Sequence, residues 1–352
     1  MTDSPHPAPT PGPPQGHNRV SALRGWPRLR FRIEAAALLF AIRARVSARA
    51  TAPLFRRVTS AVEDATMVTA SEAFVPEGVH ADLDLSYGRR PELRADVFRP
   101  EGGAPGLPLL VWIHGGGWVS GTKDDRRPFL RALAAQGLVV VGVGYTVAPE
   151  LRYPAQVEQV AQAVAWARTH AAEWGADGDA LVIGGDSAGA HIGGQLARAI
   201  RDRGYAQRAG IVLPAIDPDA LRAVVLAAGV FRFSQVGGPG PMRRLGDFMV
   251  RAYTGRRDYA TAEALAPASL IDDMAPTFPP AMVIAGNGDW MLHDSVDLAV
   301  ALEGSGVPVE TVFSPEDQEP ALPHGYSVDL RWSQARDLLA PTAAFIRRWA
   351  GR

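Results

Sequence analysis

Ala180-Leu181-Val182-Ile183-Gly184-Gly185-Asp186-Ser187-Ala188-Gly189 is the stretch on which the fold turns. Its first four residues form a continuous apolar run, the pattern of a strand buried on both faces of a parallel sheet. Over residues 188–203 the apolar spacing becomes helical. Between the two sits Gly185-Asp186-Ser187-Ala188-Gly189, a Gly-x-Ser-x-Gly turn from strand to helix. Such a turn is tight and strained, so small residues must flank the serine. It lifts the Ser187 hydroxyl above the sheet, at the positive end of a helix. The plainer alternative is a glycine-rich turn with a capping serine.

Strand and helix alternate outward from this point. Strands are expected at 109–113, 138–143, 180–183, 221–228, 281–285 and 309–313. Helices are expected at 129–136, 156–170, 188–203, 294–303 and 335–349. Residues 80–87 and 93–98 alternate polar and apolar around Arg89-Arg90-Pro91, which predicts an antiparallel hairpin at a sheet edge. Residues 231–279 interrupt the rhythm with two short helices, near 242–253 and 259–265. Recurrent strand–helix units imply an α/β fold with a mostly parallel, doubly wound sheet. Function in such sheets collects beyond the carboxyl ends of the strands.

One such end carries His114-Gly115-Gly116-Gly117-Trp118. Three glycines let backbone N–H groups turn into a cavity without Cβ obstruction. The alkoxide of an acyl-transfer intermediate needs two or three such donors. A phosphate-gripping loop fits less well, because the Gly-Lys-Ser/Thr ending is missing. A serine hydroxyl also needs an imidazole to take its proton. In an elbow enzyme the partners follow the serine, so His114, which precedes it, reads as a brace of its loop. Asp186 reads as a packing or loop-bracing carboxylate, and His191, one helical turn past Ser187, as a contact between helix and sheet. His324, in a loop after 309–313, is the expected base, with His293 the competitor. Asp289, four residues beyond 281–285, is the expected acid. Asp294 is the second choice, and Asp272 and Asp273 fit worse.

At these residues the chain resembles the α/β-hydrolase superfamily, and within it the hormone-sensitive-lipase-like esterases and small-acyl carboxylesterases. The matching stretches are 114–118, Tyr145-Thr146-Val147-Ala148-Pro149-Glu150 with Tyr153-Pro154-Ala155, 185–189, 286–289 and His324-Gly325. They span about residues 80–350. The resemblance implies an α/β-hydrolase fold with a helical lid. It implies Ser187 as nucleophile, Asp289 as acid and His324 as base, with Gly116, Gly117 and Ala188 as oxyanion donors. Trp118, Trp290 and Tyr326 are expected to line the substrate mouth, or else to be ordinary packing. Tyr87-Gly88 and the region of Ser269 look closer to a feruloyl-esterase/formamidase-like branch. Three departures stand out: Asn287 before Gly288-Asp289, Asp294 one residue late, and a long acidic loop at 314–323.

The implied activity is hydrolysis of short- to medium-chain acyl or aryl esters, with no metal or organic cofactor. An aryl formamidase, lactonase or carbamate hydrolase would use the same triad. A non-catalytic ligand-binding protein of this fold is the third reading. Composition narrows the partners. The 352 residues carry 36 basic and 37 acidic side chains, a net charge of -1, which argues against nucleic-acid binding through a broad basic surface. No cysteine is present, so thiol catalysis, disulfides and cysteine-ligated metals are excluded. Lys123 is the single lysine.

Residues 1–18 are rich in Pro, Gly and His and read as a disordered tail. Residues 19–57 hold ten arginines against one acid, Glu34, around the apolar run 35–42. An amphipathic helix over 32–57 is expected, within a basic segment 19–79 that joins the lid. A contact with an anionic membrane surface and an export signal are the alternatives for this segment. The eight-residue run is far short of the ~20 residues that span a bilayer. The catalytic domain is expected over 80–352 with a lid insertion at 231–279, in the cytoplasm, and compatible with a homodimer.

Overall fold

The strands form at the alternating and apolar segments: β1 Val79–Ser86, β2 Arg94–Pro100, β3 Leu107–Ile113, β4 Val139–Val143, β5 Ala176–Asp186, β6 Leu221–Ala227, β7 Ala281–Ala285 and β8 Val309–Phe313. In the computed structural model, which describes residues 48–63, 68–233, 236 and 241–351, they make one sheet ordered β1-β2-β4-β3-β5-β6-β7-β8. β1 pairs antiparallel with β2, and β2 with β4, so the expected hairpin closes one edge. All remaining pairs are parallel. From β3 the chain goes to β4 on one side, and β5 returns on the other. The connections therefore diverge between β3 and β5, which opens a crevice at their carboxyl ends.

Alternation along the central strands feeds two core layers. Leu109, Val111, Ile113, Leu181 and Ile183 pack on one face. Leu110, Trp112, Val140, Val182 and Val225 pack on the other. Each layer is covered by helices, as a doubly wound sheet requires.

Some elements differ from expectation for local reasons. β5 starts at Ala176, four residues early, because Asp177 and Asp179 break the apolar run that marks its buried half. The helix expected over 188–203 stops at Arg201; Asp202 then caps a new helix, Arg203–Arg208, by accepting from the Gly204 and Tyr205 N–H groups. The closing helix is two, Ser333–Asp337 and Leu339–Ala350. Pro341 has no N–H to return to Asp337, so one continuous helix cannot form. The helix expected near 242–253 spans Pro241–Thr254. The one expected at 259–265 is replaced by short 3-10 turns, Glu263–Ala268 and Leu270–Asp273. There Asp258 O accepts from both Thr261 N and Ala262 N in a turn, and Pro267 lacks a donor.

The tail 1–18, the run 35–42 and most of the basic segment lie outside the described residues. From residue 48 the expected N-terminal helix is seen as Ala48–Glu63. It meets the helix Pro241–Thr254 through Phe55 and Phe248, whose rings pack edge-on at 5.9 Å. No helix among the described residues is long and apolar enough to cross a membrane. Lys123 is buried, with its Nζ 2.6 Å from Asp84, 2.8 Å from Asp96 and 2.6 Å from Asp124. Its ammonium thus occupies the one carboxylate cluster among the described residues close enough to hold a metal ion.

Candidate active site

Ser187 follows β5 and caps the next helix with φ 53° and ψ -118°, a backbone that non-glycine residues rarely adopt. The next helix packs so closely that a Cβ at Gly189 would lie 2.0 Å from Ile113 O. That contact is the steric reason for the second glycine of the motif. Beside it, Asp186 points away from the serine. Its carboxylate accepts from Arg126 Nε at 3.0 Å, Arg126 Nη2 at 2.8 Å and Trp112 Nε1 at 3.1 Å. Burial pushes the Asp186 carboxyl up, but the Arg126 guanidinium outweighs it and holds the group below its ordinary value. The expected bracing role fits this geometry.

The loop from β7 and the loop after β8 meet over Ser187. His324 Nε2 lies 2.9 Å from Ser187 Oγ, and His324 Nδ1 lies 2.8 Å from Asp289 Oδ1. Asp289 Oδ1 also accepts from Met291 N at 2.7 Å. The competing groups are placed elsewhere. His293 is exposed on the helix Leu292–Gly304. His114 is buried, stacked on Tyr145 at 4.3 Å, and donates through Nδ1 to Gly115 O. His191 accepts from Trp118 Nε1 on Nδ1 and donates from Nε2 to Ala268 O. It packs against a loop and the Trp118 ring, where a contact between helix and sheet was expected. Burial pushes its imidazole down to about 4, so it is neutral. Asp294 is not brought to His324. Its Oδ2 accepts from Phe231 N and Arg232 N, and burial raises its carboxyl to about 6.

Gly116, Gly117 and Trp118 have φ of 112°, 58° and 62°, three successive left-handed residues. Val119 N and Ser120 N close the turn onto Gly116 O. Ala188 is the first residue of its helix, so its N–H has no partner within that helix. The loop and the elbow border one cavity of about 260 Å³. Its walls include Trp118, Val230 and Trp290, with Phe55 and Thr59 from the N-terminal helix and Leu245 and Met249 from Pro241–Thr254.

Trp118 and Trp290 border the cavity, and Trp290 packs 5.1 Å from the His324 ring. Tyr326 does not. Gly325, at φ 78°, turns the chain so that the Tyr326 ring is buried with Leu322 and Val328 in the core layer that contains Trp112. Asn287, noted only as a departure, has a clear role. Its Nδ2 donates to Gln318 O and Glu316 O, and its Oδ1 accepts from Leu322 N. It stitches the long loop that carries His324 to the end of β7. The coincidence of an unusual residue with an unusually long loop was the available signal.

A family model described as the alpha/beta hydrolase fold matches residues 110–326, more than half of the chain. The chain belongs to the alpha/beta hydrolase family. Its relatives include esterase LipC of Mycobacterium tuberculosis, 30% identical over 208 residues, which are 58% of this chain but 50% of LipC. Carboxylesterase NlhH of the same organism is 29% identical over 266 residues, covering 72% of this chain and 76% of NlhH. Among solved structures, esterase B of Lactobacillus rhamnosis superposes with a TM-score of 0.74 at 22% identity, over 90% of this chain and 97% of that one. That likeness speaks for the fold. The chain spans only half the length of LipC.

Proposed function

We propose that this α/β-hydrolase is a serine carboxylesterase of the hormone-sensitive-lipase-like kind, acting on short- to medium-chain acyl or aryl esters. The observation that carries the reading is His324, hydrogen-bonded on one side to Ser187 Oγ and on the other to Asp289, at the floor of an apolar cavity. Relatives named as esterases and carboxylesterases support it.

In this reading Ser187 Oγ attacks the ester carbonyl while His324 Nε2 takes its proton. Asp289 holds the imidazole with Nδ1 protonated and balances the imidazolium. The Gly116, Gly117 and Ala188 amides receive the oxyanion. The imidazolium then protonates the departing alcohol, and water activated by the same ring releases the acid. The helices Ala48–Glu63 and Pro241–Thr254 act as the lid, because Phe55, Leu245 and Met249 wall the acyl side. The small-molecule ester is the proposed partner. Cytoplasmic residence is part of the proposal.

The test is a fluorophosphonate probe followed by intact mass, beside a p-nitrophenyl ester series with an aryl formamide and a lactone. One adduct on Ser187, lost in Ser187→Ala, and turnover highest on esters are the expected results. Faster turnover of the formamide or lactone would move the assignment to that substrate. No adduct on the folded chain would refute the nucleophile.

Gly117→Ala tests the oxyanion loop. A Cβ there would lie 1.9 Å from Met249 Sδ, at a φ of 58° that alanine resists. The methionine can move, but the backbone strain remains. We expect kcat to fall roughly 10²-fold, near the loss of one oxyanion donor, and Met249→Ala in the same chain to recover only part of it. Unchanged kcat in a folded Gly117→Ala enzyme would place the oxyanion elsewhere.

A further inference from the structure

We propose that Arg56, on the N-terminal helix, is a positioning residue that shapes the oxyanion loop, so that seating the helix and forming the oxyanion site are one event. The proposal rests on the esterase reading above. Three left-handed residues in a row, Gly116 to Trp118, make a loop that cannot be held by regular secondary structure. Its outward carbonyls therefore need partners from elsewhere. Trp118 O accepts from Ala148 N at 2.7 Å. Val119 O, next along, accepts from Arg56 Nε at 2.7 Å. Arg56 Nη2 donates at 2.6 Å to Ala148 O, so the same guanidinium also grips the segment that braces Trp118. Glu150 holds the fork from behind, accepting from Nη1 at 2.7 Å and from Nη2.

A planar guanidinium with several fixed donors can serve two carbonyls and a carboxylate at once, whereas a lysine ammonium is a point charge on a flexible stem. The Arg56 guanidinium also keeps the Glu150 carboxyl below its ordinary value. Phe55 and Thr59, on either side of Arg56 along the helix, wall the cavity. The helix thus contributes lining and, one residue away, the clasp on the loop. The side chain is 25% exposed, so the clasp sits at the rim and not in the core. An exposed ion pair of this kind contributes little to stability. Its effect lies in where it holds the Gly116 and Gly117 amides, because small displacements of oxyanion donors are costly in rate.

The experiment compares the full chain with Arg56→Ala, Arg56→Lys and Arg57→Ala, the last an exposed neighbour on the same helix. Each is assayed on p-nitrophenyl butyrate. Each is also titrated with an alkyl trifluoromethyl ketone, which forms an oxyanion adduct on the serine, and with the matching alcohol, which cannot. Arg56→Ala should lower kcat roughly 10- to 100-fold, with KM within about threefold. Ketone affinity should weaken by the factor lost from kcat/KM, and alcohol affinity should not change. Arg56→Lys should show the same split at smaller amplitude, and it decides the matter if the alanine variant does not fold. Arg57→Ala should match the parent.

Raised KM with kcat kept, or equal weakening of ketone and alcohol, would overturn the proposal in favour of a plain lid contact. Parent kinetics in a folded Arg56 variant, or an equal loss in Arg57→Ala, would overturn it outright. A parent chain that hydrolyses no ester and binds no ketone would instead strike at the esterase reading itself.

Discussion

Alanine in place of His324 is expected to lower kcat on a short-chain ester by about 10⁶-fold, whereas His293→Ala should leave the chemical step intact. The proton on Ser187 Oγ must go to a base within hydrogen-bond reach, and His324 Nε2 stands 2.9 Å away. His293 faces solvent on its helix. His114 is spent on Gly115 O and stacked on Tyr145, and burial holds its imidazole below the ordinary value, so it is a neutral prop of the loop. His114→Ala is therefore expected to act through the loop, with lower thermal stability beside any loss of rate. Pre-steady-state acylation separates the cases, since removal of His324 slows the acylation burst itself. Residues that act as one unit are not additive. Ser187→Ala combined with His324→Ala should accordingly be no slower than either change alone. A folded His324→Ala enzyme with ordinary kcat would overturn the assignment of the base.

How much of this was legible in the chain follows from how local each determinant is. The continuous apolar run 281–285 coincides with β7, and 309–313, apolar only at Val309, Val312 and Phe313, coincides with β8. The elbow is legible because its glycines answer a steric demand within a few residues, as the contact between Gly189 and Ile113 O makes plain. The walls of the cavity are another matter. Phe55 and Met249 lie nearly two hundred positions apart and meet only through packing of Ala48–Glu63 on Pro241–Thr254, which no periodicity encodes. Arg56 is one arginine among ten in its segment, and only the fold sets Val119 O and Ala148 O on its donors. Tyr326 shows the opposite failure. It was expected to line the mouth, but beyond the left-handed Gly325 its ring is buried with Leu322 and Val328.

The acid is where the sequence alternatives stood closest, and Asp289→Asn is expected to reduce kcat roughly 10⁴-fold without unfolding the protein. Asp289 Oδ1 receives two donors, His324 Nδ1 and Met291 N. Oδ2 is buried and has no hydrogen-bond partner among the described residues. An asparagine has two ways to sit there, and both are impaired. With its oxygen in the Oδ1 place it keeps both donors, but the imidazolium formed during attack loses its carboxylate, and the buried NH₂ lacks an acceptor, a penalty of about 1–3 kcal/mol. With the amide turned over, NH₂ faces the Met291 N–H and forces His324 into the wrong tautomer for taking a proton from Ser187. Asp294→Asn should stay within about tenfold of the parent, a disturbance of the cavity wall only, because its Oδ2 is committed to the Phe231 and Arg232 amides and makes no contact with His324. Steady-state kcat for both variants, with melting temperatures to show that each is folded, tests the pair directly. If Asp294→Asn proves the crippling change and Asp289→Asn the mild one, the carboxylate that serves His324 has been misassigned by one turn of helix.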